Sequence, residues 1–230
     1  MKKMILFICL SLFFVLVSCT TDADDESDYF DAAKVCPASG RGTFTDERDG
    51  QVYKYTTIGN RVWMAENLKY DAEYSVCLES YRESSVKVYQ NFCEDFGRFY
   101  TLQKNGSYLE KIDESLVKSV CPEGWRVPSL DEWVNMVESI GSMKSEQTSK
   151  RLKDSESWLF VETGTNDCGF SVLSAGAYTG DAYGLAYFGS DAIFWTSTVD
   201  SLGQIKTIKI SNDVLVFNNL PKMSIRCVKD

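Results

Sequence analysis

Six cysteines, Cys36, Cys77, Cys93, Cys121, Cys168 and Cys227, are the residues of this 230-residue chain with the most readable chemistry, and histidine is absent altogether. No two of the six form a C-x-x-C pair, and without histidine a structural zinc site is not expected. An even set of cysteines fits three disulfides in an oxidising compartment, and the spacing leaves their pairing open. The missing histidine also removes Ser-His-Asp and Cys-His nucleophiles and the usual near-neutral general base. Carboxylates are plentiful, but no spacing singles out a pair suited to glycoside hydrolysis.

The compartment is read from the other two cysteines. Lys2 and Lys3 precede an apolar run over 4–17, and Leu16-Val17-Ser18-Cys19 closes it. A charged start, a short apolar stretch and small residues before a cysteine describe a cleaved export signal, 1–18, with a lipid attachment site at Cys19. Cys9 leaves with the leader. The run falls short of the roughly 20 apolar residues that span a bilayer. The expected location is therefore the outer membrane, lipid-anchored and exposed at the cell surface, with the membrane as a partner only through the anchor. Asp22, Asp24, Asp25, Glu26, Asp28 and Asp31 follow with no basic residue before Lys34, so 19–41 reads as a lipidated acidic tether that stays solvated. The formal charge of −9, more negative once Lys2 and Lys3 are gone, excludes nucleic acid as a partner.

Residues 42–230 are expected to form one α+β domain. Residues 51–58 alternate as a strand, Gly59-Asn60 turns it, and 61–64 continues it. The polar stretch 71–91 reads as a long loop closed by Cys77 and Cys93, and 96–102 as a short aromatic strand. Ile112, Leu116, Val117 and Val120 recur at helical spacing. The clearest helix is 130–140: Ser129 and Glu132 make an S-x-x-E capping box, Leu130, Trp133, Val134, Val137 and Ile140 line one face, and Gly141 ends it. Beyond Gly164, strands are expected at 169–173, 192–197, 205–210, 214–217 and 224–228, separated by turns.

Two sets of side chains in the Gly-rich part could bind something. Asn166, Asp167, Asp181, Asp191 and Asp200 offer hard oxygens for Ca²⁺, although ordinary turn chemistry accounts for them, so no cofactor is expected and calcium stays optional. Tyr178, Tyr183 and Tyr187, with Asp181, stand among Gly, Asp and Ala, where rings could stack on a glycan or anchor a protein. Phe194 and Trp195 are expected in the core.

One ordered series of strings runs through the domain: Thr43-Phe44-Thr45-Asp46, Asp49-Gly50-Gln51-Val52-Tyr53, Trp63-Met64-Ala65-Glu66-Asn67-Leu68, Gly97-Arg98-Phe99-Tyr100-Thr101, Cys121-Pro122-Glu123-Gly124-Trp125-Arg126-Val127-Pro128-Ser129, Gly169-Phe170-Ser171, Phe194-Trp195-Thr196-Ser197-Thr198 and Arg226-Cys227-Val228. It resembles the Fibrobacter succinogenes major paralogous domain from about Thr43 to Asp230. The resemblance implies a C-type lectin-like domain of short twisted antiparallel strands, two or so helices and long disulfide-stapled loops. It also implies bridges from Cys121 to Cys227 and from Cys77 to Cys93, which leaves Cys36 and Cys168 for one another. The acidic run behind Cys19 resembles the surface-export signal of Bacteroidetes lipoproteins. The E-P-N, Q-P-D and W-N-D strings of sugar-binding C-type lectins do not occur. The function expected is a surface binding or adhesion module with no catalytic residues. Two alternatives remain: an enzyme, either related to the formylglycine-generating family, since Arg126-Val127-Pro128-Ser129 before Asp131-Glu132-Trp133 also resembles a string of those enzymes, or a carboxylate-based glycosidase; and a passive envelope or fibre component.

Replacing Cys19 with Ser should abolish incorporation of a fatty-acid analogue into the protein in growing cells. Label retained by the variant contradicts the assignment.

Overall fold

The helix at Leu130–Ile140 forms where its capping box places it: Ser129 Oγ accepts the Glu132 N–H at 3.2 Å, and Glu132 Oε2 accepts the Ser129 N–H at 2.9 Å. In the computed structural model, which describes residues 30–83, 87–107, 110–180, 184–217 and 220–230, that helix is the fourth of five: α1 (Ala32–Val35), α2 (Phe92–Phe96), α3 (Glu114–Ser119), α4 (Leu130–Ile140) and α5 (Glu146–Leu152). The strands are β1 (Gly42–Thr45), β2 (Val52–Ile58), β3 (Arg61–Met64), β4 (Tyr81–Glu83), β5 (Lys87–Tyr89), β6 (Trp125–Arg126), β7 (Ala177–Tyr178), β8 (Leu185–Ala186), β9 (Ala192–Val199), β10 (Ile205–Ile210), β11 (Val214–Phe217) and β12 (Val228–Lys229). They form a sheet in the order β1-β2-β3-β12-β6, a second in the order β11-β10-β9, and the two-stranded pairs β4-β5 and β7-β8, all antiparallel. The fold is α+β.

Strand β9 explains how the two larger sheets share a core. Its successive side chains point to opposite faces, and both faces are covered. Ala192 and Phe194 join the cluster around Trp133, while Ile193 and Trp195 join the cluster around Tyr53 and Met223. That double burial is why 192–195 reads as an unbroken apolar run. Helix α4 fills the space between the sheets: Trp133 stacks on Phe194 with ring centroids 5.2 Å apart and leans on Trp63 at 5.0 Å. Its first turn is fastened to β9 by Thr198 Oγ1, which accepts the Leu130 N–H at 2.9 Å. A third cluster is rich in aromatic rings: Phe92, Phe96, Phe99 and Phe188 with Ala175 and Leu185, and Tyr81, Tyr89 and Tyr178 among the side chains packed against it.

At the centre lies Arg226, completely buried. Its Nε donates to Asn67 Oδ1 at 2.8 Å, Nη2 to the Ser171 carbonyl at 2.7 Å and Nη1 to the Phe170 carbonyl, and the guanidinium lies 4.8 Å from the centre of the Phe170 ring. Burial pushes the group down to about 9, which leaves it cationic at neutral pH. Asn67 is itself fixed by donating to the Phe96 carbonyl at 2.8 Å. The chain passes it closely at Gly97, where φ is +84° and an added Cβ would stand 2.6 Å from the Asn67 Cβ. Four of the strings that carry the family resemblance thus meet at one cation.

Disulfides join Cys36 to Cys168, Cys77 to Cys93 and Cys121 to Cys227. The last ties the approach to α4 to the final strand. The first fastens residues 30–41, assigned to the tether from sequence, onto the domain: Asp31 caps α1, Phe30, Ala32 and Val35 pack on the core, and Arg41 donates to the Asp167 carbonyl at 2.7 Å. Residues 1–29 lie outside the described residues.

Several expected elements differ. The loop 71–91 contains the β4-β5 hairpin, whose tyrosines feed the third cluster. Residues 96–102 are no strand, because α2 runs to Phe96 and only Phe99 and Tyr100 make single bridges, to Val76 and Met223. Within 169–173 there is one bridge, from Val172 to Lys153, and within 224–228 regular pairing begins only at Val228. These backbone groups are taken by partners other than a ladder, Arg226 above all. Helix α5 was not foreseen: Ser145 caps it, but Leu152 is its one large buried apolar residue, too little for a periodic signal.

Arg226→Met leaves three buried acceptors without their donor, and unfolding by urea should show a loss of roughly 3 to 5 kcal/mol. A loss below about 1 kcal/mol removes Arg226 from the centre of the fold. A second outcome concerns pH. Two bonds from Arg126, at 2.7 and 2.6 Å, hold Glu132 down at about 2 from an ordinary 4.5. A depressed carboxyl stabilises the fold above its unfolded value and loses that contribution as pH falls through the folded one. The stability difference between the native chain and Glu132→Gln should therefore shrink as pH falls from about 4.5 to about 2.

Candidate binding surface

The turn 187–191 links β8 to β9 and turns two neighbouring rings in opposite directions. Tyr187 adopts φ 64°, in the left-handed region that glycine occupies without strain, and its carbonyl accepts the N–H groups of Ser190 at 3.2 Å and Asp191 at 3.0 Å. Phe188 points inward, 5.0 Å from Tyr81, 5.2 Å from Tyr89 and Phe96 and 5.4 Å from Phe92. Tyr187 points outward and is 47% exposed. A tyrosine in this conformation costs about 1–2 kcal/mol relative to an allowed one, so the buried Phe188 must hold the turn against its neighbour's strain.

The rest of the surface is fastened to the same turn. The Gly189 carbonyl accepts the N–H groups of Leu159 at 2.8 Å and Phe160 at 3.1 Å, and a Cβ added at Gly189 would stand 3.0 Å from each of those side chains. Phe160 is 64% exposed and borders a shallow groove of about 450 Å³ with Glu162, Thr163 and Asn212. On the other side, Tyr187 meets the ring of Phe217 edge-on at 6.3 Å, and Lys209 Nζ lies 5.3 Å from the centre of that ring. Lys209 is neutralised by the nearly buried Asp191 at 3.2 Å, which also accepts from Ser190 Oγ at 2.7 Å. Register places Leu215, Phe217, Thr207 and Lys209 on the same face of the β10-β11 ladder, with Leu215 partly exposed. The result is a surface of two exposed rings, Phe160 and Tyr187, with Phe217 beside the second. Such a surface can stack on planar or apolar groups with little loss of side-chain freedom.

Of the four expected binding residues, Tyr187 lies in this surface and Tyr178 does not. Tyr178 stacks on Phe99 at 6.4 Å and bridges by its backbone to Lys222. Asp181 and Tyr183 lie outside the described residues. Asn166 is occupied by Ser171, whose N–H its Oδ1 accepts at 2.8 Å. Asp200 caps its turn by accepting the N–H groups of Leu202 and Gln204 at 2.9 Å and pairs with Lys206 at 2.9 Å. Asp167 stands 4.0 Å from Arg151. Among the described residues no three metal-binding side chains gather. Phe160, Phe217 and Lys209 were not singled out from sequence. The run Trp158-Leu159-Phe160-Val161, four apolar residues between polar turns with no helical or strand period, was the available signal for the first.

A family model, the Fibrobacter succinogenes major domain, matches residues 56–229 of the chain. No curated protein and no solved structure matches it.

Thermal unfolding separates the two rings of the turn. Phe188→Ala should cost about 3–5 kcal/mol. Tyr187→Gly should leave the melting temperature unchanged or higher, since relief of left-handed strain offsets the loss of one ring contact. A marked fall for Tyr187→Gly would make that tyrosine a structural residue.

Proposed function

The chain belongs to the Fibrobacter succinogenes major domain family, and with that as premise we propose that it is a lipoprotein anchored at the cell surface, whose C-type lectin-like domain acts as a binding or adhesion module through the surface around Tyr187. The observation that carries this reading is the conformation of Tyr187: an exposed ring is kept at a backbone position where glycine would be less strained, and strain at an exposed position points to use rather than to packing. Two features add support. The exposed rings Phe160 and Tyr187 are positioned by the backbone of one short turn. All six cysteines of the described residues are in disulfides, so none is free to act as the redox pair that formylglycine-type chemistry would need. The ligand class is a glycan bound by stacking with hydrogen bonds, or an apolar patch of a protein. Calcium is not required by this mode.

The test is an array of glycans and proteins probed with a soluble Cys19→Ser form. For any ligand that binds, Tyr187→Ala and Phe160→Ala should each weaken affinity by about 1–3 kcal/mol with unchanged melting temperature. Binding that survives both changes moves the site elsewhere on the domain.

A further inference from the structure

Phe160 borders a groove whose polar side chains are exposed and unengaged. Leu159, Phe160, Val161, Glu162, Thr163 and Asn212 line it, around about 450 Å³. Phe160, Glu162, Thr163 and Asn212 are exposed, so a ligand lying in the groove reaches their side chains. Their backbone is fixed. Besides the two bonds to the Gly189 carbonyl, the buried Lys153 ammonium donates to the Glu162 carbonyl at 2.9 Å, with Nζ 4.2 Å from the centre of the Trp158 ring. The Gly164 N–H donates to the Asp154 carbonyl at 2.8 Å. Asn212, distant in the chain, is held by its carbonyl, which accepts from Ser149 Oγ at 3.0 Å.

The Glu162 carboxylate, the Thr163 hydroxyl and the Asn212 amide make no hydrogen bond or ion pair with the described residues. Their chemistry is mixed. A carboxylate only accepts, while a hydroxyl and an amide both donate and accept. The partner that meets all three beside an apolar ring is a row of alcohols on a carbon ring, since each alcohol also donates and accepts. An anion is repelled, because Glu162 is the one charged side chain of the lining and the Lys153 ammonium is spent on a backbone carbonyl. An apolar patch of a protein would cover the carboxylate and leave it unpaired, a cost that an alcohol avoids by donating to it. A cation suits the carboxylate and the ring, but it cannot accept from Thr163 or Asn212. On the premise that the surface around Tyr187 is the binding site, we propose that its Phe160 groove takes a neutral pyranose. The C–H face of the sugar stacks on Phe160, and neighbouring hydroxyls at its edge bond the Glu162 carboxylate and the Asn212 amide, with Thr163 beside them.

Saturation-transfer NMR on the soluble Cys19→Ser chain tests this, with methyl β-glucopyranoside and methyl β-galactopyranoside as probes. Saturation should reach the C–H protons of one ring face most strongly. Phe160→Ala, at a 64% exposed position, should cut the affinity roughly tenfold or more. Glu162→Gln should weaken it about two- to tenfold, since an amide oxygen still accepts from one hydroxyl. Both variants keep the fold, because the loop is held by the Glu162 carbonyl rather than by its side chain. No transfer to either sugar, or transfer that Phe160→Ala leaves intact, overturns the proposal. Displacement of the sugar by tetramethylammonium at constant ionic strength overturns it too, by making the groove a cation site. The wider surface reading survives any of these results if a protein ligand is weakened by Tyr187→Ala, and falls with the proposal if neither Tyr187 nor Phe160 matters to any ligand.

Discussion

A guanidinium taken wholly out of water must be met by acceptors whose own positions are fixed, and at Arg226 those acceptors come from stretches far apart in the chain: Asn67, Phe170 and Ser171. Among the described residues no carboxylate is bonded to it. Two carbonyls, one amide oxygen and the faces of Phe170 and Phe194 take its place. Because neutral acceptors are individually weak, all of them have to be present and aligned for the burial of a cation to be tolerated. That requirement orders segments with no ladder of their own. The 169–173 stretch is one, and the passage of 97 past Asn67 is another.

The exposed surface stands on this arrangement through β9. The Phe194 ring lies 5.7 Å from the Arg226 guanidinium and stacks on Trp133 at 5.2 Å, which fixes the strand, and the strand fixes the turn 187–191 that precedes it. Inward-facing Phe188 joins that turn to the aromatic cluster of α2 and the β4-β5 hairpin, whose base is the Cys77 to Cys93 disulfide. The turn therefore has a rigid support on two sides. Its outward ring can be presented in a strained conformation without local collapse, as a site on a rigid scaffold requires.

What the sequence disclosed followed from how local each cause was. The capping box of α4, the β2-β3 hairpin and the double-faced run of β9 are written within a few neighbouring residues, and all three form where expected. The family strings named the right residues, yet their purpose was not legible. Asn67, Ser171 and Arg226 look like ordinary polar positions until the fold brings them within bonding distance. Stretches 96–102 and 169–173 carry strand-like composition, but their backbone groups are claimed by distant partners, which no periodicity reveals. The exposure of Tyr187 was legible because a tyrosine in a stretch of Gly, Asp and Ala has little to bury it. Phe160 and Phe217 were missed because only the Gly189 carbonyl and the β10-β11 register bring them beside it.

If the Arg226 arrangement is the part on which the rest depends, backbone groups around it should open only when the whole domain does. Native-state hydrogen exchange measures this amide by amide. The Leu68 N–H, bonded to the Ile225 carbonyl at 3.0 Å, and the Trp195 N–H, bonded to the Ser224 carbonyl at 3.1 Å, should exchange at the free energy of global unfolding, while those of Ser190 and Asp191 exchange through a smaller local opening. Exchange of Leu68 and Trp195 as fast as that of the 187–191 turn would contradict the account.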